Sequence, residues 1–322
     1  MVVAAVRILL LFACCSFCAA QDAFPSRPIR LIVSFTPGGG ADLTARVVGQ
    51  KMAEQLGQPV VVENRAGANG SIGAAAVAAA APDGYTMLLT DRGALSVNPS
   101  LYRKLAYNPV RGFEYVGIVT VAPYVLVCDP RLAAKSLAEL AALAKASPGR
   151  INYASFGIAS MAQLNLEALK AQLRIDLTHI PYKGAGPAVQ GVVAGDAGVT
   201  IASPAAVLGF VRDGRLRALA ISSPKRSPLL PEVPTLAEAG GGEDTMASTY
   251  FAFALPAGTP RALAERLHQE MRRALAVPEL AERLNAAGLE PSGMPGAELA
   301  ELVQRDIVRF RKLIQEIGIQ PE

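Results

Sequence analysis

The sequence lacks the concentrated charge that marks several common classes of protein. Lysine and arginine outnumber aspartate and glutamate by only 31 to 27 over 322 residues, a net charge of +4, and no long basic run occurs. Because phosphate binding needs concentrated positive charge, nucleic acid is not an expected partner. Hydrophobic residues make up 51% of the chain and charged residues 18%, so the composition is globular and the length predicts two lobes, each with its own core.

Histidine is also scarce, and the chain has no tryptophan. The two histidines, His179 and His268, stand in no H-E-x-x-H motif, and no paired-cysteine spacing accompanies them. The sequence therefore offers no metal site, no cofactor site and no catalytic constellation. We expect a protein that is not an enzyme.

The first twenty residues lack acidic side chains and contain one cation, Arg7, followed by an apolar stretch that ends in Ala19 and Ala20. This pattern predicts a signal peptide over residues 1–20 and therefore export from the cytoplasm. The apolar run is shorter than the roughly 20 residues of a membrane span. A lipoprotein cut before Cys14 stays open as an alternative. Cleavage after Ala20 leaves Cys128 as the one cysteine, so no intramolecular disulfide is expected and Cys128 is predicted to be buried.

Short apolar strands alternate with helical patterns in the rest of the chain, which predicts α/β architecture with parallel sheets. Predicted strands lie near residues 31–35, 60–62, 85–89, 124–128, 152–154, 177–180, 199–201, 216–221 and 250–255. A short helix is predicted near Thr235, a helix capped by Thr259 and Pro260, and a last helix over about 295–318. The C-terminal helices have no sheet of their own and are expected to pack on the first lobe. The predicted lobes are therefore residues 21–122 plus 249–322 and residues 123–248, joined by two hinge strands around a cleft.

Open α/β sheets bind ligands outside the carboxyl ends of their strands, so the loops there are the candidate sites. The first reads S-F-T-P-G-G-G-A-D over residues 34–42. Its glycines and the following helix start suit an anion, although an ordinary tight turn capped by Asp42 fits equally well. In the second loop, Asp91 and Arg92 either pair with each other or divide between an ammonium and a carboxylate of a ligand.

The third loop is Y-A-S-F-G-I-A-S-M-A-Q, over residues 153–163. Ser160 either caps the following helix or presents its hydroxyl to a ligand carboxylate. A nucleophile elbow needs G-x-S-x-G, and Tyr153 stands where the first glycine belongs, so a hydrolase is disfavoured.

Motifs along the whole chain after residue 20 resemble one family. They are S-F-T-P-G-G-G-A-D, V-V-V-E-N-R-A-G-A-N-G-S-I-G, A-P-D-G-Y-T-M-L-L, N-P-S-L-Y-R-K-L-A-Y-N-P, N-Y-A-S-F-G, H-I-P-Y-K-G-A-G-P-A-V and L-R-A-L-A-I-S-S-P-K-R-S-P-L-L-P-E-V-P-T. The sequence resembles the Bug family of periplasmic solute receptors, which includes the binding components of tripartite tricarboxylate transporters. The resemblance implies a two-lobed type II periplasmic binding (Venus flytrap) fold, a monomer, a small carboxylated solute and membrane permease subunits as partners.

The resemblance also implies which residues hold the solute. Matched by position, they are Thr36, Pro37, Gly38, Gly39, Asp42, Thr90, Asp91, Arg92, Gly93, Ala94, Ser155, Gly157 and Ser160, with Lys183 and Ser203 for its distal end. This chain departs from the family at residues 91–94, where small Ser and Gly followed by G-T are common, and has Ala159 and Gln163 in place of a frequent glycine and a frequent histidine. We therefore expect uptake of a di- or tricarboxylate, an amino acid or an aromatic acid. A receptor for signalling and, as a different class, a periplasmic hydrolase or transferase are the alternatives.

Overall fold

The computed structural model describes residues 24–242 and 245–321, so the predicted signal peptide and its cleavage site lie outside the described residues. The strands are β1 Ile29–Val33, β2 Val60–Asn64, β3 Thr86–Asp91, β4 Phe113–Ala122, β5 Val125–Cys128, β6 Asn152–Ser155, β7 Thr178–Pro181, β8 Val199–Ala202, β9 Arg217–Ile221, β10 Thr249–Pro256 and β11 Glu290–Pro295. The α-helices are α1 Gly40–Leu56, α2 Ser71–Ala78, α3 Asn98–Leu101, α4 Leu137–Ala146, α5 Met161–Leu173, α6 Ala185–Ala194, α7 Pro204–Arg212, α8 Arg261–Leu275, α9 Pro278–Ala286 and α10 Gly296–Glu316.

The strands form two sheets, which confirms the predicted α/β architecture. The six-stranded sheet has the order β11-β4-β10-β3-β1-β2, and the five-stranded sheet has the order β7-β6-β8-β5-β9. In the first sheet β1 pairs in parallel with β2 and β3, whereas β10 runs antiparallel to β3 and β4. We call the six-stranded sheet with its helices lobe 1, and the five-stranded sheet with its helices lobe 2.

Both faces of each sheet are covered, as expected for strands that are apolar on both sides. In β1, Leu31 and Val33 face a core formed with α1 and α8, while Ile32 faces the core formed with α2 and α10. Lobe 2 is built the same way, with α4 and α5 on one face and α6 and α7 on the other. Cys128 is free and fully buried in β5, as predicted.

Two local predictions are wrong, and one strand was not predicted. The unpredicted strand is β11, which pairs with β4 at the edge of the lobe 1 sheet, so the C-terminal helices pack on this sheet and have no separate one. The segment around Thr235 forms a turn and an isolated bridge to Ile221 instead of a helix. Thr259 does not cap α8, because its hydroxyl donates to the Pro256 carbonyl and Pro260 occupies the N-cap position.

Within residues 24–242 and 245–321, no helix is both long enough and apolar enough to cross a bilayer.

Candidate functional site

The carboxyl ends of the parallel strands in both sheets meet at the hinge. In lobe 1, Asp91 at the end of β3 pairs with Phe251 near the start of β10, and β4 ends at the same edge. In lobe 2, Val125 at the start of β5 pairs with Ala202 at the end of β8, and β9 also ends there. Only two residues separate the end of β4 from the start of β5. The loops that follow the parallel strands of the two lobes therefore face each other.

Tyr124, in the short connection between β4 and β5, lies between these two sets of loops. Its ring centroid is 6.4 Å from that of Phe156 in the lobe 2 loop after β6. Burial raises the pKa of Tyr124, and the Asp91 carboxylate at the end of β3 raises it further. The side chain thus joins the β3 end of lobe 1 to the β6 loop of lobe 2. Sequence analysis did not select it, although an aromatic residue beside a predicted hinge strand is a usable signal.

The glycine loop after β1 is held in place by Asp42. Its buried carboxylate accepts hydrogen bonds of 3.0 Å each from the Gly38 N–H, Arg46 Nε and Asn64 Nδ2. The hydrogen bond from Arg46 is the largest cause of the lowered pKa of Asp42. Asp42 is neither the N-cap of α1, which is Gly39, nor free for a ligand. Its role is to position the loop, and it removes the Gly38 N–H from the available donors.

The start of α1 remains open to an anion. Gly39 supplies no capping side chain, and helical geometry leaves the N–H groups of Gly40 and Ala41 without an intrahelical acceptor. The preceding residues Thr36, Pro37, Gly38 and Gly39 are exposed. Gly40 packs so closely that an added Cβ would lie 3.2 Å from both Phe251 and Leu289. Partial positive charge and unsatisfied donors make such a helix start an anion site.

The loop after β3 differs from the loop after β1, because the carboxylate of Asp91 accepts hydrogen bonds from the amides of this loop. Asp91 Oδ1 accepts a hydrogen bond of 2.9 Å from the Ala94 N–H, and the Gly93 N–H contributes a second bond. Burial raises the pKa of Asp91 to about 6, against the lowering effects of these amides and of the Arg92 charge. Gly93 and Ala94 are buried, and Thr90 is fully buried in β3.

Arg92 points away from this site. Its Nε lies 3.0 Å from Asp306 Oδ2 of α10, and its guanidinium stands 5.0 Å from the centre of the Tyr250 ring. Consecutive residues at a strand end project to opposite faces, which separates Arg92 from Asp91. The expected ion pair between Arg92 and Asp91 is therefore not formed, because Arg92 pairs with Asp306, and contact of Arg92 with a solute carboxylate stays a prediction.

In lobe 2, a directional chain of hydrogen bonds locks the loop after β6. The Ala159 N–H donates to Gln163 Oε1 (2.6 Å), so Gln163 Nε2 is the atom that faces His179 Nδ1 (3.3 Å). An amide nitrogen only donates, so His179 Nδ1 accepts and its proton resides on Nε2. That Nε2 is 2.6 Å from Ser155 Oγ, which in turn donates to the Gly157 carbonyl (3.0 Å).

This direction has a chemical consequence. His179 donates to Ser155, and burial lowers the pKa of His179, so the neutral imidazole is not positioned as a base toward the hydroxyl. Ser155 is moreover fully buried. The pair is structural and does not form an activated nucleophile of the kind a hydrolase needs. Sequence analysis missed the pair because its members lie on different strands.

Ser160 caps α5 and closes the same loop. Its hydroxyl donates to the Gly157 carbonyl (2.7 Å) and accepts a long bond of 3.4 Å from the Gln163 N–H. Ala159 has a φ of 58°, in the left-handed region that favours glycine. At the tip of the loop, Ile158 is 73% exposed.

The start of α7 lies against a turn of lobe 1. Its N-cap, Ser203, makes no side-chain capping bond, and Lys183 is exposed in the loop after β7. An added Cβ on Gly288, in the turn between α9 and β11, would lie 3.3 Å from the Ala205 nitrogen of α7. The next residue, Leu289, is the one that packs on Gly40 at the start of α1. The starts of α1 and α7, from different lobes, therefore flank one turn.

Comparison with known proteins agrees with this geometry. The family model for the tripartite tricarboxylate transporter family receptor matches residues 44–319. The chain belongs to this receptor family. BugT of Bordetella pertussis is 39% identical over 300 residues, which are 93% of this chain and 92% of BugT, so the resemblance to Bug proteins is confirmed.

Solved structures confirm the two-lobed periplasmic binding fold. The structure described as R. palustris Rpa4515 with adipate superposes with a TM-score of 0.78 at 30% identity, covering 93% of this receptor and all of that chain. MatC from Rhodopseudomonas palustris with bound malate has a TM-score of 0.72 at 32% identity, covering 90% of this receptor and all of that chain.

Proposed function

We propose that this receptor captures a small carboxylate between its two lobes in the periplasm and delivers it unchanged to permease subunits of a tripartite tricarboxylate-type transporter. One observation carries the proposal. The open start of α1 in lobe 1 and the loop after β6 in lobe 2 both leave the sheet edges that meet at the hinge, so donors from the two lobes face the same cleft. Closure of the lobes about the hinge then encloses the anion.

The energies are sufficient for this mode of binding. A micromolar affinity needs about −8 kcal/mol, and a hydrogen bond to a charged group contributes roughly 1.5–3 kcal/mol. Four or five such bonds cover that requirement after the cost of immobilising the solute. Backbone donors on helix starts are fixed before the solute arrives, which keeps that cost small.

The charges around the site restrict the solute. Asp91 places a carboxylate at the lobe 1 edge where a second solute carboxylate would otherwise approach the Ala94 amide. Lobe 2 presents the exposed side chain of Ile158, and Ile72 at the start of α2 in lobe 1 is 53% exposed. These features support a solute that combines one carboxylate with an amino or apolar end. Relatives with bound adipate and malate support a carboxylate as the anchoring group.

A ligand screen tests the proposal. The mature chain is examined by thermal shift and calorimetry against organic acids and amino acids, with adipate and malate included. We expect one carboxylate to raise the melting temperature and bind with micromolar affinity, and mass spectrometry to recover it unchanged. Chemical turnover of the ligand, or the absence of any stabilising carboxylate, contradicts the proposal.

A pair of serine variants locates the binding site. Ser160→Ala removes a hydroxyl at the start of α5, at the hinge edge, and should weaken binding without altering the fold. Ser136→Ala removes the equivalent cap of α4, whose side chain accepts from the Glu139 N–H at the opposite edge of the same sheet. Because both lose a cap, equal loss of affinity in the two variants contradicts a site at the hinge edge.

A further inference from the structure

A cavity separate from the facing loops lies behind the hinge. Its volume is about 700 Å³, and it is bounded by β4, β10 and β11 of lobe 1, by α10, and by residues 222–224, 236–237 and 246–248. Among the residues predicted to bind the solute, only Arg92 lines this cavity. We call it the hinge cavity. Its size is in the range of cavities that hold small molecules.

Arginine side chains form most of the charged lining of the hinge cavity. Among the described residues, this lining consists of three arginines and one aspartate. Arg92 and Asp306 neutralise each other at 3.0 Å and are buried. Arg305 lies 3.6 Å from Glu301, a pair exposed to solvent, and Arg309 Nη2 donates to the Thr245 carbonyl. Because exposed ion pairs are weak, Arg305 keeps most of its attraction for another anion.

The rest of the lining is apolar, with a few hydroxyl groups. The larger apolar side chains are Ile118, Val121, Leu236, Met246, Met294 and Leu302. Two of them are methionines, whose flexible thioethers adapt to irregular ligands. Thr249, more than nine-tenths buried on the hinge strand β10, also lines the cavity, and its Oγ1 has no hydrogen-bond partner among the described residues. The lining therefore offers an apolar floor, a cationic rim and an unsatisfied hydroxyl.

We infer that the hinge cavity binds an amphiphilic monocarboxylate, with its head at Arg305 and Arg309 and its hydrocarbon body on the apolar floor. A second carboxylate on the same molecule would have to lie on that floor or beside Asp306, where desolvation and like charge both oppose it. This site therefore selects a class of ligand different from a dicarboxylate. The inference does not depend on the function proposed for the facing loops.

A ligand here would bridge the two lobes. Ile118 and Val121 belong to the hinge strand β4, and Thr249 and Tyr250 to the hinge strand β10. The opposite wall, residues 222–224 and 236–237, follows the last strand of lobe 2. Any occupant thus contacts both sides of the hinge.

Octanoate serves as the probe, and 1-octanol serves as its uncharged control. Calorimetry on the mature wild-type chain should show saturable binding of octanoate and at least tenfold weaker binding of 1-octanol. Arg305→Gln combined with Arg309→Gln should weaken octanoate binding about tenfold or more, because charge-assisted bonds are lost. Arg311→Gln, on the same helix but outside the hinge cavity, should change nothing.

A second variant separates this cavity from the facing loops. Ala237 is exposed at the cavity wall, so the indole of Ala237→Trp should obstruct the cavity and abolish octanoate binding while the melting temperature stays within about two degrees. The inference is overturned if the wild type does not bind octanoate at millimolar concentration, if the double arginine variant binds it equally well, or if Ala237→Trp retains it.

Discussion

The loops after β1 and after β3 leave the same edge of one sheet, but only the loop after β1 leaves backbone amides available to an anion. After β1, the Asp42 carboxylate takes only the Gly38 amide, and the start of α1 stays open. After β3, the Asp91 carboxylate takes the amides of Gly93 and Ala94 for itself. Both loops follow parallel strands and both contain an aspartate. The difference lies in which amides each carboxylate reaches.

This difference shows that topology places the donors and side chains decide whether they are available. The carboxyl edge of a parallel sheet brings helix starts together whatever the loop sequences are. An acidic residue at the strand end can then accept hydrogen bonds from the amides of its own loop, which makes these amides unavailable to a solute. Of the two loops compared, only the loop after β1, which leads into α1, keeps amide donors that an anion can reach.

The largest expected effect comes from removing one open amide of α1. Gly40→Pro eliminates that N–H at the first helical position, where proline is tolerated, and should reduce affinity for the carboxylate solute by roughly ten- to a hundredfold. Gly40→Ala adds the same Cβ near Phe251 and Leu289 but keeps the N–H. Calorimetry on the two variants isolates the amide. Similar losses in both would show that packing, and not the donor, matters at this position.

The contrast between the two loops was only partly accessible from the sequence. The strand-to-helix positions, the glycines and the aspartates could all be read from the order of residues. Which amides each aspartate reaches could not, because it depends on backbone geometry after the strand ends. The separation of Arg92 from Asp91 could not be predicted either, because Arg92 pairs with Asp306 of α10, which is more than 200 residues away in the chain.

Breaking the locked loop of lobe 2 should have an intermediate effect. Gln163→Ala leaves the buried Ala159 N–H and His179 Nδ1 without their partner, and should lower the free energy of unfolding by about 1–3 kcal/mol and the solute affinity several-fold. Gln172→Ala, an exposed position on the same helix, is the matched control. Chemical denaturation measures the stability. Equal stability of Gln163→Ala and wild type would mean that the hydrogen-bond chain does not hold the loop.

The strand β11 shows a different limit of sequence reasoning. Its sequence, E-P-S-G-M-P, contains two prolines and a glycine, residues that argue against a strand. The segment nevertheless pairs with β4 as an edge strand, with an irregularity between Pro291 and Met294. Edge strands tolerate proline because one side of their backbone needs no sheet partner. Periodicity identifies central strands such as β1 better than edges of this kind.

The smallest expected effect concerns the loop after β3, in which Asp91 binds the amides of its own loop. Asp91 has a pKa near 6, raised from 3.8, so in the folded wild type its carboxylate gains a proton as the pH falls from 8 to 5.5. Affinity for a carboxylate solute without an amino group should rise over that interval, whereas Asp91→Asn should bind this solute three- to fivefold tighter than wild type at pH 8 and show no such change, as one screened charge predicts. The pH dependence of the free energy of unfolding provides an independent test of the same pKa. Because the folded state takes up a proton that the unfolded chain has released, the free energy of unfolding of the wild type should increase relative to Asp91→Asn as the pH falls through 6. Parallel pH profiles for the two proteins, in both affinity and stability, would show that Asp91 does not oppose the anion and that the two loops are equivalent.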